Sequence, residues 1–147
     1  MAEADYRQSE AFNTSLRLAT AVGRLKVGSN LKAAADAQTK AFEQAGMAAA
    51  LIAEATTREG PAQIGLYRDA RGSLAQTRAW LHVLASVLNE QDTVFGNELD
   101  MADQASRQVS ATIRTLDRGP GVGPRPAPRG PDRPPQRQQG PRPGGVR

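Results

Sequence analysis

Cysteine is absent from the 147 residues and histidine occurs once, as His82. The first absence excludes disulfides, thiolate metal sites and cysteine nucleophiles, and the second excludes a multi-histidine metal site within one chain. No metal and no cofactor are expected. Aromatic residues make up only 4% of the chain, and only one of its 10 prolines, Pro61, comes before residue 119. No apolar run approaches the roughly 18 residues that a membrane span needs. The opening "MAEADYRQSE" is polar and acidic, unlike a secretory signal. The composition predicts a soluble, cytoplasmic protein without a membrane partner.

Net charge is +4, but its placement matters more than its size. Residues 1–118 hold 13 Lys and Arg against 14 Asp and Glu, whereas residues 119–147 hold six Arg and one Asp. The high isoelectric point belongs to the tail. From Gly119 onward, nine Pro, seven Gly and six Arg fall within 29 residues, with almost nothing to bury. Such a segment cannot offset its ordering entropy by packing. Two units are expected: a folded domain over 1–118 and a disordered, extended, polyproline-like arm over 119–147.

Gly28, Gly60 and Gly96 divide the first unit into four pieces. In the first, about Ser9 to Val27, Phe12, Leu16, Ala19, Val22 and Leu25 recur at helical steps. The second sets Leu31, Ala35, Phe42, Ala45, Ala49 and Ile52 in the same rhythm, with Ser29 or Asn30 as candidate cap. Pro61 suits the first turn of the third helix. There Tyr67, Ala70, Leu74, Thr77, Leu81, Leu84 and Leu88 form a heptad seam. The fourth, capped by Asp92, Thr93 or Asn97, turns Leu99, Ala102, Ser106, Val109, Ile113 and Leu116 inward, with acidic residues in its first turns. No segment alternates with a strand period. The pattern predicts an all-α, antiparallel up-down four-helix bundle whose middle helices are roughly 40 Å long.

Two features exceed the needs of a lone bundle. Helix two is apolar in nearly every direction through "AGMAAALIAEA", which includes Met47 and Leu51, and such a helix is normally buried all round. On helix three, Trp80 and Val87 lie to one side of the seam, with Val83 further out. Trp80 can roll over the bundle edge and cover its own neighbours, or these five residues can anchor a subunit interface.

Chemistry is sparse. His82 could act as a general base, but no spacing guarantees it a nucleophile or an orienting carboxylate. Glu54, Glu59 and the cluster from Glu90 to Asp103 do not form the paired carboxylate and histidine motif of di-iron bundles. "GPGVG" follows no strand and opens no helix, so it is no phosphate loop. The expectation is a protein that is not an enzyme.

Arginine does recur at heptad spacing, as Arg17 and Arg24, Arg71 and Arg78, and Arg107 and Arg114. Arg68 and His82 extend the helix-three pair on the side away from Trp80. These positions read either as an ordinary solvated face or as a surface that engages phosphate oxygens. A few contacts per copy bind weakly, and a symmetric oligomer multiplies them. Arg125, Arg129, Arg133 and Arg137 in the tail suit loose, salt-sensitive attraction to RNA or DNA. The tail could equally serve as a solubilising extension.

The run from "LIAEATTREG" through "LYRDARGSLAQTRAWLHVL" resembles a family of bacterial four-helix bundle proteins. They were first noted as products of ribosomal-RNA intervening sequences and include the accessory variability determinant of diversity-generating retroelements. The resemblance rests on Ile52, Ala53 and Glu54, then Arg58, then Gly72 and Ser73 with Gln76 three places later, and covers roughly residues 10–118. Ala55 stands where the family usually has glycine, and Gln76 and Arg78 stand at usually acidic positions. An arginine and a Trp in helix three are more similar to the retroelement branch. The resemblance implies a homopentameric barrel of bundles with a basic outer surface that binds nucleic acid and docks a reverse transcriptase. It also implies that small Gly72 and Ser73 admit a neighbouring helix, at about 1 kcal/mol of helix propensity for the glycine.

The function expected is therefore a non-enzymatic, oligomeric RNA- or DNA-binding accessory protein, partnered by itself and by a reverse transcriptase. The alternative is a structural scaffold that binds only protein and carries a solubilising tail.

Overall fold

The computed structural model describes residues 5–119. Among them are four α-helices and no strand: α1 (Glu10–Gly23), α2 (Lys32–Ala55), α3 (Gly60–Val87) and α4 (Gly96–Asp117). Short 3-10 turns, Tyr6–Gln8 and Asp92–Phe95, precede α1 and α4. The expected arm from residue 120 onward lies outside the described residues.

Each helix begins and ends for a local reason. Ser9 Oγ accepts the Phe12 N–H at 3.2 Å and so caps α1. The Tyr6 ring meets Phe12 edge-on, 4.9 Å between centroids, and fixes the approach to that cap. Helix α1 ends at Gly23, short of the expected Val27, because the Gln38 amide takes over its end. Gln38 Nε2 donates to Val22 O at 3.0 Å and to Leu25 O at 2.8 Å, so carbonyls otherwise orphaned at a helix end are satisfied. At the next corner Thr56 and Thr57 hydroxyls donate back to Ala53 O and Glu54 O. Gly60 then adopts φ +66° and Pro61 opens α3 as expected. Asn89, at φ 57°, closes α3, with Glu90 N–H donating to Ala85 O at 2.9 Å, the Schellman pattern.

The expected caps of α2 and α4 are corrected. Helix α2 starts after Leu31 with no side-chain cap, and Ser29 Oγ instead accepts the Leu31 N–H at 3.1 Å. Helix α4 follows Phe95, also without one, because Asp92 and Thr93 are already inside the 3-10 turn and Asn97 lies within the helix.

Each helix packs on its sequence neighbours, α1 also closes on α4, and the diagonal pairs do not meet. This is the antiparallel up-down bundle expected. At 1.5 Å per residue α2 and α3 run about 36 and 42 Å. The α3 seam is as read: Tyr67, Ala70, Leu74, Thr77, Leu81 and Leu84 are buried, with Leu88 half-buried. Its buried hydroxyl is satisfied within the helix, Thr77 donating to Ser73 O at 2.9 Å. Leu18, Val22, Ile52 and Val109 complete the core, each leucine- or valine-sized side chain contributing about 1.5–3 kcal/mol. On α2 the inward residues are Ala34, Ala37, Ala41, Ala45, Ala48, Ala49, Ile52 and Ala55, nearly all alanine, and the expected Ala45, Ala49 and Ile52 are among them. The expected Leu31, Ala35 and Phe42 are exposed, as is Leu16 of α1. On α4, Ala105 is buried and Ser106 only half-buried.

Candidate nucleic-acid interface

Two contacts fix the register between α3 and α4. Arg71 Nη1 donates to Ser110 Oγ at 3.3 Å, and Arg78 Nη1 meets Asp103 Oδ1 at 2.7 Å. Seven residues separate the members of each pair, on helices running in opposite directions. The same register sets Arg68 opposite the level of residue 113. Arg107 and Arg114 then bracket Arg71 within about 10 Å of bundle axis. Arg68, Arg71, Arg107 and Arg114 are all exposed. Among the described residues, no carboxylate oxygen lies within 4.0 Å of any of them. Arg107 Nε reaches only Asp103 O of its own helix, at 3.4 Å.

Further along the same face the cations are answered. Arg78 is held by Asp103, and His82 Nδ1 lies 2.9 Å from Asp92 Oδ1. Glu90, Glu98 and Asp100 lie at that same end, around the α3–α4 connection. The face therefore has a polar axis, bare guanidinium at one end and carboxylate at the other. The acidic cluster from Glu90 to Asp103 already implies such an axis in the sequence; which cations it answers is not legible there, because Asp92 and Asp103 meet α3 only once the helices pair. Asp92 also supplies the orienting carboxylate that the sequence left unplaced for His82. The pair is half-exposed. Among the described residues no group of three metal-ligating His, Cys, Asp or Glu side chains occurs.

Arg17 and Arg24 are also exposed, on α1, which packs against α4 but not against α3. Arg17 Nη2 donates weakly to Thr14 Oγ1 at 3.4 Å, and Arg24 closes α1. Arg125, Arg129, Arg133 and Arg137 lie outside the described residues.

The apolar positions divide similarly. Trp80, Val87 and Leu51 are half-buried and pack against the core, whereas Val83 is 43% and Met47 50% exposed. Trp80 thus covers its own bundle edge. The sequence missed Phe42 as a surface residue. Its ring reaches α1, 3.1 Å from where a Cβ on Gly23 would sit, yet it stays 47% exposed. Ser73 is buried, but Gly72 is exposed and a Cβ there would meet nothing within 4 Å. Packing within one chain does not require that glycine.

Compared with protein-family models, curated proteins and solved structures, the chain finds no match. No helix among the described residues is long and apolar enough to cross a membrane.

Proposed function

We propose that this chain is a non-enzymatic, self-associating protein that binds RNA or DNA through the α3–α4 arginine cluster, with the arginine-rich tail as a second, looser contact. The supporting observation is the group of four exposed arginines, Arg68, Arg71, Arg107 and Arg114, without a carboxylate partner among the described residues. Exposed guanidinium groups free of ion pairs can engage phosphate oxygens bidentately at no cost of breaking a pair. Four such contacts give a salt dependence of roughly −3 to −4 in log K against log salt, too weak for one copy to hold a partner at physiological salt. Repetition in an oligomer supplies the rest. The family resemblance adds a reverse transcriptase as the protein partner.

The triple variant Arg71→Ala, Arg107→Ala, Arg114→Ala is expected to lose retention on immobilised RNA and DNA at moderate salt, with the slope reduced by about 2–3. Asp103→Asn releases Arg78 and should strengthen retention. If the triple variant binds like the parent while removal of residues 119–147 abolishes binding, the bundle surface is not the site. Exposed Met47, Phe42 and Val83 support a second reading, a scaffold that meets only other protein. Loss of neither surface nor tail arginines affecting retention would leave that one standing.

A further inference from the structure

The outer flank of α2 carries a stripe that no other described element covers. Asp36, Lys40, Glu43, Met47, Ala50 and Glu54 recur at alternating steps of four and three, and all six are exposed. Such spacing is a seam along which a second helix can lie. At about 100° per residue the stripe stands roughly 130° from the buried line of α2. Gln38 and Phe42 mark the side of α2 that meets α1, so the stripe faces out of the bundle on the α3 side.

Charges at equal distances from Met47 are opposite. Lys40 and Glu54 each stand seven residues from it, and Asp36 and Arg58 each eleven. Arg58 lies just past the helix end, 3.3 Å from Glu54, and Lys40 lies 3.8 Å from Glu43. These contacts within the chain are exposed and loose, so each charge can take a second partner. A copy of α2 laid antiparallel across Met47 sets Lys40 of one chain against Glu54 of the other, and Asp36 against Arg58. A two-fold contact demands this self-complementarity, because residue i meets j and j meets i. At its centre Met47, 50% exposed, meets its own copy.

We propose that a second copy of this chain packs antiparallel along the α2 stripe, on a two-fold axis at Met47. The pairing rests on the self-association argued above and gives it a surface. Charge selects a second copy over any other protein, since four cross-pairs close at once in one register. The axis also decides where the arginines go. Met47, eight residues before Ala55, is level with Arg68, eight residues after Gly60, because α2 and α3 run antiparallel from one turn. An axis at that level, crossing the helices within the outer α2–α3 face, keeps the α3–α4 edge of both copies on the same side. The bare arginines of the two copies then lie side by side, and one polyanion can engage both clusters.

Light scattering of the full chain, with nucleic acid absent, tests the pairing. The parent should scatter at twice the 15.6 kDa of one chain. Lys40→Glu and Glu54→Lys each set like charges together at both ends of the contact, and each alone should raise the dissociation constant at least about tenfold. Both positions are exposed, so helicity and melting should match the parent. Mixed in equal amounts, the two variants should regain the parent's affinity, because Lys40→Glu of one chain and Glu54→Lys of the other again join opposite charges. The chain lacks cysteine, so Met47→Cys, facing its own copy, should oxidise to a linked pair at least about tenfold faster than Leu16→Cys, about as exposed on α1. A parent that scatters as one chain would overturn this pairing and self-association together. A parent that assembles while both charge variants assemble equally well, a mixture that stays apart, or equal oxidation of the two cysteine variants would overturn the pairing alone.

Discussion

Leu16 and Leu18 stand two residues apart on α1 and have opposite fates, the first 48% exposed and the second fully buried. Helical spacing puts Leu16 in one line with Phe12, Ala19, Val22 and Leu25, of which Ala19 and Val22 are buried, Phe12 and Leu25 half-buried and Leu16 exposed. The buried face runs through Ala11, Thr14, Ser15, Leu18, Ala19 and Val22, and two of its members carry hydroxyls. Hydrophobic spacing has no means of finding a face built partly from Thr and Ser; here Thr14 Oγ1 accepts from Arg17 Nη2 at 3.4 Å, and the buried Ser15 Oγ has no hydrogen-bond partner among the described residues. Leu18→Ala should therefore cost about 2–5 kcal/mol by chemical denaturation, and Leu16→Ala within about 0.5 kcal/mol. Tyr67 offers a second check. Burial pushes its phenol pKa above the ordinary value, because desolvation disfavours the phenolate. The folded chain then holds that proton to higher pH than the unfolded chain does, so stability is unaffected below about pH 10, the unfolded value. It declines as pH rises from there toward the folded value. Thermal melts from pH 8 to 11 should show this decline in the parent, and a shallower one in Tyr67→Phe.

Among the elements, α3 was the most legible, since its heptad seam of large apolar residues is interrupted only by Ala70 and by Thr77, which bonds its own helix. Helix α2 was legible as a helix and in the inward facing of Ala45, Ala49 and Ile52, but not in its first half, where Leu31, Ala35 and Phe42 stay exposed, because a helix half made of alanine offers little contrast between sides. What selects its inner line is closeness of approach, a property of the partner helix rather than of α2. The end of α1 was not legible at all, because it depends on Gln38, a residue of α2 that closes two carbonyls across the hairpin. Gln38→Ala leaves both to water or to nothing, and should cost about 1–3 kcal/mol, with the loss in amide-exchange protection concentrated around residues 20–27. The arginine cluster was half legible in the same sense. Heptad spacing marked Arg71 and Arg78 as equivalent, and α4 made them different by placing a hydroxyl against one and a carboxylate against the other.

At the scale of the molecule, the question is whether one bundle is the working unit. A single copy leaves Leu16, Phe42, Met47 and Val83 each between 43% and 50% exposed, and it leaves Gly72 facing open space. Scattered exposed apolar residues are ordinary, so the count alone decides nothing. Their placement says more: Met47 lies on α2 near its turn into α3 and Val83 toward the far end of α3, roughly 20 Å apart along the antiparallel pair, so one neighbour meets both only by lying lengthwise along it. Trp80 and Leu51 sit half-buried on the same two helices. A neighbour packing there would cover the indole's remaining surface, and smooth Gly72 would let its helix approach closely. Trp80→Ala is an ambiguous probe of such an interface, because the indole already packs against its own core and its loss lowers fold stability too. Val83→Asp and Met47→Asp separate the two effects. Neither side chain supports the core, so helicity and melting of an isolated copy should hold within the small change typical of surface positions. A charge set into an apolar contact, by contrast, should reduce light-scattering mass to that of one chain, 15.6 kDa. If the unsubstituted protein itself scatters as 15.6 kDa at micromolar concentration, no assembly multiplies the arginine cluster. Binding of nucleic acid would then rest on the tail.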